Sequence, residues 1–154
     1  MSADDDLAAF LARYAPEIAA RAEAVLEGLR ARLPGAVEVV YDNYNALVVG
    51  FGPSERASEA PLSVVVYPRW VSLCFLQGAK LSDARHQLSG AGKQVRTVRL
   101  TTPEDLAALD DLIEQAISAA PRWDPARGRC IVVKSVSPRQ RPRRPASGPA
   151  AASR

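Results

Sequence analysis

A chain of 154 residues with 47% apolar residues is long enough for one packed core and short for a second. Its apolar runs, such as 64–67 and 71–76, are strand-sized and far below the roughly 20 residues of a membrane-crossing helix, while the acidic opening Asp4-Asp5-Asp6 is unlike a secretory leader; a cytoplasmic protein without membrane contact is expected. The net charge of +3 is uneven: eight basic residues and no acid lie from Arg127 onward, which leaves residues 1–126 with 12 basic against 17 acidic side chains, or −5.

Leu7, Phe10, Leu11 and Tyr14 recur at helical spacing over residues 4–15, with acids in the first turn where the helix dipole favours them. Pro16 restarts a second helix whose stripe is Ile18, Ala22, Val25, Leu26, Leu29 and Leu33, ending at Pro34-Gly35. Gly28 inside it costs about 1 kcal/mol relative to Ala. Residues 37–41 and 46–51 read as strands around Asp42-Asn43-Tyr44-Asn45, because Asp and Asn tolerate the backbone that tight hairpins need. A polar loop over 52–61 leads to a second hairpin, 62–67 and 70–76. Its turn holds Pro68, which cannot donate a ladder hydrogen bond.

A short helical piece opened by Ser82, the turn Gly90-Ala91-Gly92 and a fifth strand over 94–100 follow. Thr102, Pro103, Glu104 and Asp105 form a helix start, and Leu106, Leu109, Leu112, Ile113 and Ile117 supply the buried stripe of one helix ending before Pro121. Residues 130–133 read as an edge strand. The expected fold is α+β: an antiparallel sheet of five to six strands with N-terminal and C-terminal helices on one face. Residues 1–136 form the single domain, and 137–154, rich in Pro, Arg and Ala, a disordered basic tail.

The phrases YDNYNALVVGFGPSERAS, SVVVYPRWVSLCFLQGAKL, SGAGKQVRTVRL and IVVKSVSPRQRPRR resemble a bacterial family of small proteins, YdhG-like, over roughly residues 15–144. The family's domain carries no assigned function. The resemblance implies an α+β sandwich similar in outline to frataxin, and some relatives have been called frataxin-like iron chaperones on that basis.

Strand alternation places Val37, Val39, Tyr41, Leu73 and Phe75 toward the helices. It leaves Glu38, Val40, Ser63, Val65, Tyr67, Ser72, Cys74, Thr97 and Arg99 on a mixed reverse face, a surface for a small ligand or a protein. The hairpin tips add Asp42, Tyr44, Arg69 and Trp70, the aromatic and Arg composition of binding hot spots. Lys93, Arg96 and Arg99 offer a basic patch, but the phosphate-loop pattern fails at Gln87 and Gln94. Oxygen ligands for iron would come from Asp4, Asp5, Asp6, Glu17, Glu23 and Glu27, with Arg13, Arg21, Arg30 and Arg32 interleaved.

His86, near Asp83, and the mid-strand Cys74 do not make a catalytic pair, and Cys74 and Cys130 read as free thiols. No cofactor is implied. The expected function is a non-catalytic binding or accessory module whose contact surface is Asp42, Tyr44, Tyr67, Arg69, Trp70, Lys93, Arg96 and Arg99. The alternatives are an intracellular iron-binding chaperone and a weak, salt-sensitive nucleic-acid binder acting through the tail.

Overall fold

A computed structural model describes residues 2–145. Helices α1 (Ala3–Ala12) and α2 (Pro16–Arg32) precede strands β1 (Val37–Asp42), β2 (Leu47–Gly52), β3 (Leu62–Val66), β4 (Val71–Phe75) and β5 (Arg96–Leu100). Helices α3 (Pro103–Ala107) and α4 (Asp110–Ala119) and strand β6 (Cys130–Val136) follow. The result is an α+β fold with one six-stranded sheet in the order β5-β4-β3-β2-β1-β6.

Local chemistry sets the element ends. The Ser2 hydroxyl accepts from the Asp5 amide at 3.1 Å and the Asp5 carboxylate accepts from the Ser2 amide at 3.2 Å, a reciprocal cap that starts α1. Pro16 opens α2, where its missing N–H leaves nothing unpaired. Gly28 has a packing reason: a Cβ there would lie 2.4 Å from Leu106 Cδ2, so the bare backbone admits α3 against α2. Leu11, Ile18, Val25 and Leu29 of the helices meet Val49, Phe51, Val64, Leu73 and Phe75 of the sheet in one core.

The structure corrects the sequence reading in several places. The sheet is mixed, because β6 runs parallel to β1 while every other neighbouring pair is antiparallel. The cause lies in residues 120–129: Trp123 Nε1 donates to the Pro34 carbonyl at 2.9 Å and Arg127 Nε to the Gly35 carbonyl at 2.7 Å. Those two bonds deliver the returning chain to the start of β1, so both strands set out in the same direction.

The C-terminal helix is two. Leu109 adopts φ −101° and ψ 4°, and Gln87 Nε2 donates to the Ala108 carbonyl at 3.2 Å at the step between them. No helix starts at Ser82. Instead the Asp83 carboxylate accepts from the Gln87 and Leu88 amides at 2.9 and 3.0 Å, and these bonds hold it below its ordinary pKa. The turn they close places His86 at φ +54°.

The alternation of β1 is the reverse of that expected. Glu38 and Val40 pair across the ladder with Phe51 and Val49, whose side chains lie in the core. The carboxylate of Glu38 tolerates this side because Arg30 of α2 and Arg129 each approach it at 2.9 Å. Val37 and Val39 are buried nonetheless, on the far side. There the β2–β3 loop folds back, with Ala60 so close to Gly52 that a Cβ on that glycine would stand 2.8 Å from its Cα. Apolar residues on both sides of β1 thus follow from two coverings, and parity alone cannot tell them apart.

Packed chain also runs past residue 136, where composition drew the end of the domain. The Ser137 and Arg141 amides donate to the Asp42 and Tyr44 carbonyls, each at 2.9 Å, and Arg143 is buried against Asp42. Residues 146–154, the rest of the tail, lie outside the described residues.

Candidate functional site

On the reverse side of the sheet the β2–β3 loop packs Ala60 against β2 at Gly52 and reaches β6, where Glu55 pairs with Lys134 at 3.6 Å. Over β3, β4 and β5 a groove of about 670 Å³ stays open, floored by Val65, Ser72, Cys74 and Thr97 and rimmed by Tyr67, Trp70, Arg99, Gln87 and Ser89. Its floor follows from ladder register. Ser72 sits opposite Val65 on one side and Arg99 on the other, and Cys74 opposite Thr97, so their side chains emerge together. Its outer wall follows from the turn after Asp83: beyond it, Ser89 exchanges amide–carbonyl bonds with Thr97 at 2.7 and 2.9 Å, which extends the sheet by one bridge past β5.

The rim is built from the turn Tyr67-Pro68-Arg69-Trp70, closed by the Tyr67 amide donating to the Trp70 carbonyl at 2.9 Å. The Tyr67 and Trp70 rings lie 4.8 Å apart, tilted by 32°, and the Arg99 guanidinium stacks 3.9 Å from the Trp70 ring centre. Stacking uses the face of the guanidinium and leaves its edge. Among the described residues Arg99 has no carboxylate partner and no hydrogen bond, so its donors remain available. On the floor, burial pushes the Cys74 thiol above its ordinary pKa, opposed by a hydrogen bond with Ser63, so it stays protonated and is a poor nucleophile at neutral pH.

Of the eight expected site residues, Tyr67, Trp70 and Arg99 come together here, and Arg69 stands exposed at the tip of the same turn. The others do not join them. Asp42 is buried beneath the C-terminal segment, and Tyr44 stands exposed beside that segment, with the Arg141 guanidinium 5.7 Å from its ring centre. Lys93 and Arg96 lie at the other end of β5, where Arg96 Nη1 is bound to the Gly92 and Val95 carbonyls at 2.7 and 2.8 Å. Arg96 and Arg99 are three residues apart on one strand and so point to opposite sides.

Gln87 and Ser89 of the groove wall carry no sequence signal of their own. They enter it through the Asp83 turn and the bridge to Thr97, a contact that only the folded chain makes.

A second cleft of about 420 Å³ lies between residues 58–61, the end of β4 and α4. Its walls mix Ala and Pro with Phe75, Leu76, Glu59, Gln77 and Lys80; Gln115 is committed to Ser82 at 2.8 and 3.1 Å, while the buried Gln77 Oε1 has no hydrogen-bond partner among the described residues. The groove over β3–β5 is the one that sets a guanidinium without a carboxylate partner beside stacked aromatic rings. Among the described residues no three of His, Cys, Asp and Glu gather as a metal site, and no helix is long and apolar enough to cross a membrane. Asp4 and Glu27 of the acidic N-terminal set are paired with Arg129 and Arg30 at 2.8 and 2.9 Å. No family model, no curated protein and no solved structure matches the chain.

Proposed function

We propose that this protein is a non-catalytic binding module that receives a small ligand in the groove over β3, β4 and β5. The observation that carries the reading is the stack of Arg99 on Trp70, with Tyr67 beside it, at the rim of an open floor that mixes hydroxyls with apolar side chains. Clustered aromatic and Arg side chains are the residue types that carry most of the contact energy in binding interfaces. The protonated Cys74 thiol and the commitment of Asp83 to backbone amides favour binding over nucleophilic or acid–base chemistry. The phrase-level resemblance to the YdhG-like family is part of the same proposal. Its iron-chaperone alternative draws on Asp4, Asp5, Asp6, Glu17, Glu23 and Glu27, of which Asp4 and Glu27 are engaged in ion pairs.

A thermal-shift screen of small metabolites on the full-length protein tests the reading. Compounds that raise the melting temperature are expected to lose their effect in Trp70→Ala and Tyr67→Ala. Hits indifferent to both substitutions would move the site elsewhere. Iron that perturbs amide resonances of residues 4–27 and protects against unfolding would favour the chaperone instead.

A further inference from the structure

We infer that the groove selects a planar monoanion, an aromatic or heteroaromatic carboxylate, with Arg99 as the anion-binding residue; the inference rests on the binding role proposed for the groove. Charge comes first. Among the described residues Arg99 is the only charged side chain lining the groove, and no Asp or Glu lines it. Its guanidinium carbon lies 3.9 Å over the Trp70 ring centre, a contact that restrains the side chain and leaves its two-pronged N–H edge without a partner among the described residues. A carboxylate matches that edge with two parallel hydrogen bonds.

The count of charges narrows the class. A phosphate monoester or a nucleoside diphosphate would bring close to two or more negative charges to a single guanidinium, with no second cation and no helix N-terminus among the described residues of the lining to meet the remainder. One carboxylate balances one Arg. Beyond the charge, the floor offers hydroxyls at Ser72, Ser89 and Thr97 beside Val65 and the neutral Cys74 thiol, a surface that suits a flat ring carrying a few polar substituents. A volume of about 670 Å³ admits a molecule of one to two rings.

The test is NMR titration of the full-length protein with benzoate, indole-3-acetate, benzamide and inorganic phosphate, followed at the Trp70 indole N–H and the Arg99 Nε–H. The carboxylates are expected to shift both signals and benzamide to bind at least about tenfold more weakly, since a charge-assisted pair is lost. Arg99→Gln should abolish the preference for benzoate over benzamide. Arg99→Lys, which keeps the charge and removes the fork, should weaken benzoate binding about tenfold. Arg99 is exposed, so both variants are expected to keep the native amide spectrum.

Benzamide binding as tightly as benzoate, or phosphate binding more tightly than either, would overturn the monoanion class and leave the groove reading standing. A peptide with a free C-terminus that outcompetes both carboxylates would overturn the small-molecule class. Shifts confined to residues outside the groove for every probe would overturn this inference and the binding role together.

Discussion

The Arg143 guanidinium lies 2.9 Å from Asp42 Oδ1, with 2% and 1% of the two side chains exposed. Asp42 also takes Arg13 at 3.2 Å, and at the other end of β1 Glu38 takes Arg30 and Arg129. Each buried carboxylate therefore draws one guanidinium from the N-terminal helical half and one from the C-terminal stretch around β6. Strand β6 pairs on one side only, with β1, so its place in the sheet depends on these two anchors as much as on its ladder. The Tyr14 hydroxyl completes the Asp42 end, donating to the Val66 carbonyl at 2.8 Å and accepting from the Leu47 amide at 3.2 Å. Burial raises its pKa, so the phenol stays neutral among the charges.

Arg143→Ala should destabilise the protein by about 3 kcal/mol, because it leaves a buried carboxylate with Arg13 alone. The measurement is urea unfolding at neutral pH. Asp42→Asn combined with Arg143→Met should cost less than the sum of the two single changes, since removing both charges leaves neither stranded. Additive costs would show that the pair contributes nothing beyond its separate contacts.

Arg129→Ala should loosen β6 locally. Arg129, the residue just before that strand, joins Glu38 and Asp4, but it is 39% exposed and its partner Glu38 keeps Arg30. The global cost is accordingly modest, about 1 kcal/mol. Hydrogen exchange is the sharper readout: amides of residues 130–133 should exchange faster while those of β3 and β4 stay protected. Uniform acceleration across the sheet would contradict a local anchor.

Much of this architecture was readable from the residues. All six strands and both N-terminal helices lie within a few positions of where hydrophobic spacing puts them, because Pro16, Pro34-Gly35, Pro68 and Thr102-Pro103 punctuate the chain locally. The reading failed where tertiary partners decide. Glu38 looks like a solvent-facing residue until Arg30 and Arg129 arrive from opposite ends of the sequence. Residues 137–145 look too polar to pack until Asp42 supplies the counter-charge for Arg143. In the groove, Tyr67 and Arg99 were legible through strand parity, whereas Gln87 and Ser89 were not, their place being set by a turn and a single bridge.

The two thiols should separate in a timed reaction with iodoacetamide at pH 8. Cys130 is exposed at the first position of an edge strand, whereas Cys74 is partly buried at the groove floor with its pKa raised by that burial. A raised pKa means less thiolate at the reaction pH, so Cys130 should be alkylated first and Cys74 should lag by about tenfold or more. A ligand seated in the groove should slow Cys74 further and leave Cys130 unchanged. Equal rates in the free protein, followed by mass spectrometry, would count against the groove floor as described.

Acid should selectively remove the contribution of Asp105 to the start of α3. Its carboxylate accepts from the Thr101 amide at 2.6 Å and the Thr102 amide at 3.0 Å, and these two bonds hold its pKa below the ordinary carboxylate range. A group whose pKa is lower when folded than when unfolded stabilises the fold above its unfolded value, about 3.9 for Asp, and loses that contribution as pH falls through the folded value. Wild type should therefore exceed Asp105→Asn in stability by up to about 1 kcal/mol at pH 7, the usual worth of such a cap. The gap should stay constant down to about pH 5 and narrow as pH falls through the lowered folded value, where the wild-type carboxyl itself becomes neutral. Thermal melts of both proteins across that range give the result. A gap that persists to pH 2 would assign the effect to the shape of the side chain and remove the charge from the account.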